Sequence, residues 1–593
     1  MNPSGIFIGK KYPGLPGAGI EISEINGLLI AWDTNLRPRL YLFESERFFI
    51  FAHVNAGCRK ILAGLGEQAG GLYTDHSSIL AHLNWGFILI LNREENRFRI
   101  INDSYGIYPL FHSSVNGQVS ISNDADFLLR QLPSAKFDTA GLYDFMLFNY
   151  PLKGRTLIKE LSRFTGGTVA EGDPSLAELS FRQFSDIATL IHRTENKSEG
   201  LEDGAAYLAN NLEQDLEPDL PVSLPLSGGF DSKMILALLL ARKKPFSAYT
   251  YGSKGSVDHT SARHTAALFD LPYTLLDLSA LDSASLEKQA RQFIRRSPSR
   301  PLILDLMAYE CVNEEIPSSN IILGSMGGEL INGPVVVSEV ILTRSARTLT
   351  LASERDELSS GILADLSAFP LLNREVYLES EREYIDSLSS YLDRKENDLA
   401  CNLTRFMLNE VYPGFFGTVF SDLMGKFNLL NPFADLQFLR WLLNSRYRYS
   451  RHRPFSKNPV SHLFSRRLYA RMIRKIHPPA LYSKMDRNYL LADILYPYRW
   501  PVTILRYIEN HLFRKNKTEQ AKTLNYTRWM IPLLLSGLRN SPLLDNRIFN
   551  RKAILDLLRA LENGQPVPDI QVRKLILILG IHYLAEEYHI SPV

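Results

Sequence analysis

A chain of 593 residues, 45% hydrophobic and 22% charged with a net charge of +2, has ample apolar material for a core. It carries no bulk charge that would by itself announce a nucleic-acid or acidic partner. Three scattered cysteines (Cys58, Cys311, Cys401) exclude a disulfide framework and a cysteine metal cluster, and point to a reducing, cytoplasmic setting. The thirteen histidines show no His-Glu-x-x-His spacing, and His259 and His264 are expected on a solvated helix. No signal peptide is seen, and apolar runs such as Ile531–Leu535 and Leu575–Leu579 are too short to span a bilayer, so a soluble protein is expected.

Residues 1 to about 190 are dense in short strand-like runs: Gly5–Ile8, Gly27–Trp32, Leu40–Phe43, Phe48–Phe51, Trp85–Leu91 and Phe98–Ile101. Turns rich in Gly, Asn and Asp separate them, which predicts a largely antiparallel sheet domain, followed by a helix over Asp138–Tyr150 capped by Asp138. Glu195–Asp203 reads as a linker. From about 200 the pattern alternates: Gly204–Glu213 helix, Val222–Leu226 strand, Ser232–Ala241 helix, Phe246–Tyr251 strand, Ser261–Phe269 helix, then Tyr273–Leu276 and Ile321–Leu323 as strands. Alternation of this kind predicts a parallel sheet with crossover helices. After 380 the chain is mostly helical, and residues 500–593, with amphipathic Ala553–Leu561 and Gln571–Tyr588, form a helical extension. Two glycine-rich pieces, Gly14–Gly19 and Gly64–Gly70, lack the strand-to-helix context of a nucleotide loop and are expected to be plain turns.

The most informative stretch is Ser227-Gly228-Gly229-Phe230-Asp231-Ser232, at the join between a strand and a helix. The glycines allow positive φ and close backbone approach, the helix start offers unpaired N–H groups, and the serines add hydroxyls, together a seat for phosphate. Asp231 would repel bare phosphate unless it held a hard cation such as Mg²⁺. No Gly-Lys-Ser/Thr follows, so this is not a Walker loop. A second glycine turn, Gly324-Ser325-Met326-Gly327-Gly328-Glu329, follows a buried strand and brings one carboxylate, Glu329, to the same end of the sheet.

The hexapeptide matches the signature of PP-loop ATP pyrophosphatases, and the two segments together resemble the synthetase domain of the asparagine synthetase family. That family includes β-lactam synthetases and lasso-peptide cyclases. Phe246–Tyr251 resembles its adenine-recognising strand, Asp258 fits the following helix start, and Asn431-Pro432-Phe433-Ala434-Asp435 resembles its Pro-Phe-x-Asp segment. In the N-terminal region, Asn102–Phe111 resembles the Asp-x-x-Gly-x-x-Pro-Leu-Tyr segment of the family's glutaminase domain, with Asp138–Tyr150, Gly154-Arg155-Thr156 and Gly166-Gly167 following in order. The resemblance implies an Ntn-hydrolase-like antiparallel sandwich (1–190), then an ATP-pyrophosphatase α/β domain with a helical C-terminal part (200–500). It implies ATP and Mg²⁺, with Ser227, Gly228, Gly229, Asp231, Ser232, Tyr251, Gly327 and Gly328 binding nucleotide and Asp231 and Glu329 sharing the metal. Lys484 and Arg487, after His477-Pro478-Pro479, both fit the family's catalytic lysine slot.

Departures from the family pattern shape the functional expectation. A working glutaminase would expose an N-terminal cysteine where this chain has Ser4 within Ser4-Gly5-Ile6-Phe7. A serine hydroxyl is a far poorer nucleophile than a thiolate, so glutamine hydrolysis is expected to be lost. Met326 replaces a glutamate that would take a proton from the attacking amine, and Asn428 and Leu430 replace a Glu-x-Arg pair, which suggests a rebuilt acceptor pocket. The expectation is an AMP-forming carbon–nitrogen ligase that joins a small-molecule or peptide carboxylate to ammonia or an amine, with a precursor peptide or partner protein as an option. Alternatives are a lasso-peptide-type macrolactam cyclase, a non-catalytic ATP-binding scaffold, and an RNA-modifying PP-loop enzyme. The last draws on the arginine- and tyrosine-rich, acid-free stretch Ser445–Met485, but ranks below amide ligation because RNA-modifying relatives lack a glutaminase-like front domain.

Overall fold

The computed structural model describes residues 5–12, 19–80, 82–183, 200–278, 283–303, 306–332, 340–393, 399–445, 459–486, 489–501, 505 and 529–590. Twelve strands form the N-terminal domain: β1 (Ile6–Gly9), β2 (Ile20–Ile25), β3 (Leu28–Asp33), β4 (Leu40–Glu44), β5 (Phe48–Val54), β6 (Gly86–Asn92), β7 (Arg97–Asn102), β8 (Phe111–Val115), β9 (Gln118–Ser122), β10 (Leu161–Arg163), β11 (Thr168–Gly172) and β12 (Ser180–Gln183). They make two six-stranded sheets, β10-β8-β9-β1-β3-β2 and β12-β11-β7-β6-β5-β4, with antiparallel pairing throughout.

The register of β5 explains the layering. Successive residues point to opposite faces: Phe49 and Phe51 join the large core between the sheets, while Ile50, Ala52 and Val54 pack in a second cluster with Cys58 and Leu62 of helix α1 (Ala56–Leu65). Both faces of that sheet are therefore apolar and covered. The β2–β3 and β8–β9 hairpins turn on Asn26-Gly27 and Asn116-Gly117, all four residues at positive φ, the turn chemistry that a tight hairpin demands. Helix α2 (Thr139–Phe148) starts on Asp138, whose carboxylate accepts from Gly141 N at 2.8 Å, and stops at Asn149 in the left-handed region.

The second domain opens with α3 (Leu201–Asp215), so the expected linker runs into a helix; residues 184–199 lie outside the described set. Its sheet holds β13 (Val222–Pro225), β14 (Ser247–Gly252), β15 (Tyr273–Asp277), β16 (Asn320–Ile322) and β17 (Asn428–Leu430), in the order β15-β14-β13-β16-β17 and parallel throughout. Helices α4 (Phe230–Ala241), α5 (Val257–Leu268) and α6 (Ser283–Arg296) belong to the crossovers. Strand order reverses direction between β13 and β16, which creates a switch-point crevice at their carboxyl ends, where ligands bind in such sheets.

A short helix, α7 (Gly327–Asn332), follows β16, so the second glycine segment is a turn into a helix rather than a loop. Gly64–Gly70 likewise closes α1 and enters a 3₁₀ segment, correcting its reading as a plain turn. Most of Gly14–Gly19 lies outside the described residues. Helix α8 (Arg374–Asp393) packs against α2, with the rings of Tyr377 and Tyr384 edge-on to Tyr143, whereas α9 (Pro459–Ile476) packs on α3 and α4. The last helix, α10 (Asp569–Glu587), is buried rather than peripheral: Gly580 approaches Pro301 so closely that a methyl group there would lie 2.1 Å from its carbonyl oxygen. No described helix is long and apolar enough to cross a membrane.

Candidate active site

The site is built where β13 and β16 end. Leu226 leaves β13 still bonded to β14 (its N–H to Tyr249 O, 2.8 Å), and the chain turns through Ser227-Gly228-Gly229 into α4. The two serines brace the turn: their hydroxyls lie 3.1 Å apart, Ser227 N–H donates to Ser232 Oγ at 3.2 Å, and Gly229 N–H donates to Ser227 Oγ at 3.1 Å. Gly228 N–H donates to Asp258 Oδ1 at 2.8 Å.

These contacts correct the expected role of the glycines. Gly229 has φ −80°, and Gly228 is absent from the positive-φ glycines. What Gly228 provides is room, because a methyl there would lie 2.8 Å from Asp486 Cβ and 2.9 Å from its Cα. Asp486 N–H in turn donates to Gly228 O at 3.1 Å. This docking carries the Lys484–Asp486 strip against the turn, and Ser261 Oγ of α5 holds the Lys484 carbonyl. The structure thus brings Lys484's backbone beside the Ser227–Gly229 turn, while Arg487 lies outside the described residues.

Asp231, in the first turn of α4, sits in a cradle of glycines. Methyl groups would lie 2.8 Å from its Cβ at Gly324, 2.5 Å from Oδ1 at Gly327 and 3.3 Å from Oδ2 at Gly328. Met326, buried with φ +67°, makes the tight turn that aims α7 and Glu329 toward it. Burial, then the neighbouring Glu329 charge, push the Asp231 carboxyl up to about 7, against hydrogen bonds from Tyr469 and Gly328. Burial also raises Glu329. Two neighbouring buried carboxyl groups are hard oxygen donors of the kind a divalent cation takes. Among the described residues no group of three or more His, Cys, Asp or Glu side chains comes together. A pair is what Mg²⁺ uses when substrate phosphates complete its shell, so these residues fit the ion.

Tyr469, whose phenol donates to Asp231, is the site residue that the sequence reading missed. It lies in the basic stretch read as a rival nucleic-acid feature, and α9 instead buries Leu468, Tyr469, Ala470, Met472 and Ile473 against the core. Of the arginines there, Arg467 lies over Trp500 at 5.5 Å, and Arg446, Arg448, Arg451 and Arg453 are outside the described residues. Lys233 was also missed: it is fully buried one turn into α4, donates to Thr265 Oγ1 at 2.7 Å, and is pushed down to about 7 by desolvation.

Asn428 and Leu430 are both buried in β17, and Asn428 Nδ2 donates to Asp215 O (3.0 Å) and Asn320 Oδ1 (2.7 Å) at the amino end of the sheet. The expectation of a solvated helix at His259 needs correction. His259 is buried, its Nδ1 accepting from Gly255 N–H at 2.9 Å, whereas His264 is exposed. The Pro-Phe-Ala-Asp segment does reach the crevice: Phe433 would touch a methyl at Gly327 (3.0 Å), and Asn431 Nδ2 donates to Ser325 O at 3.0 Å. Tyr251, half-buried, ends β14 on the same side.

In the N-terminal domain the Asp103 carboxylate accepts from the N–H groups of Tyr105 (3.0 Å), Ile107 (3.1 Å) and Tyr108 (3.1 Å). Gly106 (φ +65°) and Gly166 touch backbone to backbone, so two of the segments read as one family pattern meet in space. Residues 1–4, with Ser4, lie outside the described set. All three cysteines are buried, and burial raises the thiol pKa of Cys58 and takes that of Cys311 up to about 11.

Residues 205–300, which carry the Ser227–Ser232 turn, match the family model for asparagine synthase. The match is confined to that stretch and distinguishes no subtype. No curated protein matches the chain. Among solved structures, glutamine phosphoribosylpyrophosphate amidotransferase from B. subtilis, complexed with ADP and GMP, is similar at 10% identity. That similarity covers 56% of this chain and 70% of that one with a TM-score of 0.16, too low to carry an argument.

Proposed function

We propose that the crevice adenylates a carboxylate with ATP, releases pyrophosphate, and passes the acyl group to ammonia or another amine, and that the chain does not hydrolyse glutamine itself. The observation that carries this reading is the Asp231 carboxyl, cradled by Gly324, Gly327 and Gly328 beneath the Ser227–Gly229 turn with the Glu329 carboxyl beside it. ATP is the substrate whose β and γ phosphates Ser227, Ser232 and the start of α4 would receive. Gly228 and Gly229 would line that seat through the room they leave, and Tyr251 would border the adenine.

Asp231 and Glu329 would hold Mg²⁺, which supplies charge neutralisation on the departing pyrophosphate. Tyr469 fixes the orientation of the Asp231 carboxylate through its hydrogen bond. Lys484 would meet charge developing on the α-phosphate as the carboxylate oxygen bonds to phosphorus and the α–β bridging oxygen leaves with its electron pair. Arg487 is the alternative cation. The amine then forms the amide bond as AMP departs. Met326 cannot accept the amine's proton, so substrate or solvent takes it.

Loss of glutamine hydrolysis is supported by Ser4 at the nucleophile position and by the burial of every cysteine. The reading is tested by calorimetric titration with Mg²⁺ and the α,β-methylene analogue of ATP. Binding is expected in the wild type and lost in Asp231→Asn and Glu329→Gln. Equal affinity in all three proteins would remove the crevice as the nucleotide site.

A further inference from the structure

A cavity of about 530 Å³ lies apart from the Asp231 crevice, between the N-terminal domain and the helices that follow residue 344. Its volume falls in the range of small-molecule sites. The N-terminal domain contributes Lys153 and Gly166, and the helical side contributes Tyr391, Arg405, Asn409 and Glu410. We propose that this cavity is a second ligand site for a small zwitterion of α-amino-acid type, its carboxylate facing Arg405 and Lys153 and its ammonium facing Glu410.

Opposite charges line one cavity here. Glu410 is buried, and its carboxylate accepts from Tyr391 OH at 2.6 Å and Lys153 N–H at 3.1 Å. Arg163 and Arg155 act on it from beneath, but Arg163 donates to Pro413 O (2.8 Å), and Arg155 faces Asp144 (3.5 Å) and Ser387. Burial raises the Glu410 pKa in spite of these cations, so an arriving ammonium would favour its ionised form. The Lys153 ammonium is held at the rim, donating to Ser387 O at 2.7 Å and lying 5.7 Å from the Tyr391 ring centre.

Glu410 sits in a segment, Met407–Phe416, that widens into π-helical turns and contains Pro413. Such widened turns recur at functional sites. Two residues beyond Glu410, the Tyr412 hydroxyl accepts from Asn431 Nδ2 at 2.9 Å, and that amide also donates to Ser325 O at 3.0 Å. The ligand site itself stands whether or not the crevice binds ATP.

The test is calorimetric titration of the full chain with each standard α-amino acid, followed by the N-acetyl and carboxamide forms of any that binds. At least one amino acid is expected to bind one to one, and capping either pole to weaken it about tenfold or more, the equivalent of one lost ionic contact. Glu410→Gln and Arg405→Gln should weaken binding similarly and Asp231→Asn should leave it unchanged. Asn409→Leu, which fills the cavity without removing a charge, provides a second variant should one charge variant fail to fold. No binding by any amino acid would overturn the proposal. So would binding that survives the cavity variants and disappears in Asp231→Asn, which would assign the ligand to the crevice.

Discussion

At the scale of single residues, the crevice depends on groups whose roles are steric and electrostatic at once. Gly228→Ala would drive a methyl into the backbone of Asp486. It is expected to cost ~1–3 kcal/mol of stability and to weaken Mg·ATP binding at least about tenfold, measured by thermal unfolding and calorimetry. Gly229 is the internal control, because a methyl there meets Ser227 Oγ alone, at 3.2 Å. Tyr469→Phe removes a hydrogen bond to a carboxylate, an interaction worth ~1.5–3 kcal/mol. Its expected effect is a fall of about tenfold or more in kcat/KM for ATP with the fold intact, checked by steady-state kinetics and circular dichroism. That Ser227–Ser232 and Gly324–Glu329 turn at the ends of neighbouring strands was legible because each is a contiguous run of small residues directly after a short apolar strand. Tyr469 was not, since nothing in a run of arginines and tyrosines says which ring turns inward to a carboxylate more than two hundred residues away.

Elements follow the same division. Asp138→Ala, which deletes the cap of α2, is expected to lower stability by ~1 kcal/mol, read from denaturant unfolding. Helix α10 offers a test through pH. Lys574 is buried, its Nζ donating to Met146 O and to Asn149 Oδ1 (2.9 Å), and burial pushes its pKa from 10.5 down to about 7. Between those values the unfolded chain holds a proton that the folded chain has released, so this group makes stability rise with pH across that window. The melting temperature of wild type minus that of Lys574→Met is expected to increase from about pH 7 to about pH 10, and to be flat below about pH 6. Strands such as β5 and β6 and helices such as α4 were readable as unbroken apolar runs, of β-type residues in the strands and of strong helix formers in the helix. Strands β8 to β12 were not, because they are short and partly polar, and pairing rather than composition makes them strands. The partners of Asn428 were hidden for a related reason: its amide joins β17 to Asn320, a pairing that only the strand order of the sheet creates.

For the whole molecule, the antiparallel sandwich followed by a parallel α/β domain was foreseeable from the change in hydrophobic period near residue 200. How the parts meet was not. Lys574 reaches from the last helix to α2, Arg130 of the N-terminal domain pairs with Glu587, and the larger apolar cluster runs from Ile6 to Ile590. Long-range contacts of this kind leave no local trace in the sequence. On the proposed reading the sandwich serves as structure, so ammonium rather than glutamine is expected to support the reaction.

The measurement that tests the central claim most directly is the quantification of AMP and pyrophosphate released from Mg·ATP over a panel of carboxylic acids, aspartate included, with ammonium or glutamine as nitrogen source. The account predicts AMP and pyrophosphate in equal amounts with at least one acid and ammonium, none above background with glutamine, and none from Asp231→Asn. Release of ADP and phosphate instead, or AMP formation that Asp231→Asn leaves unchanged, would contradict it.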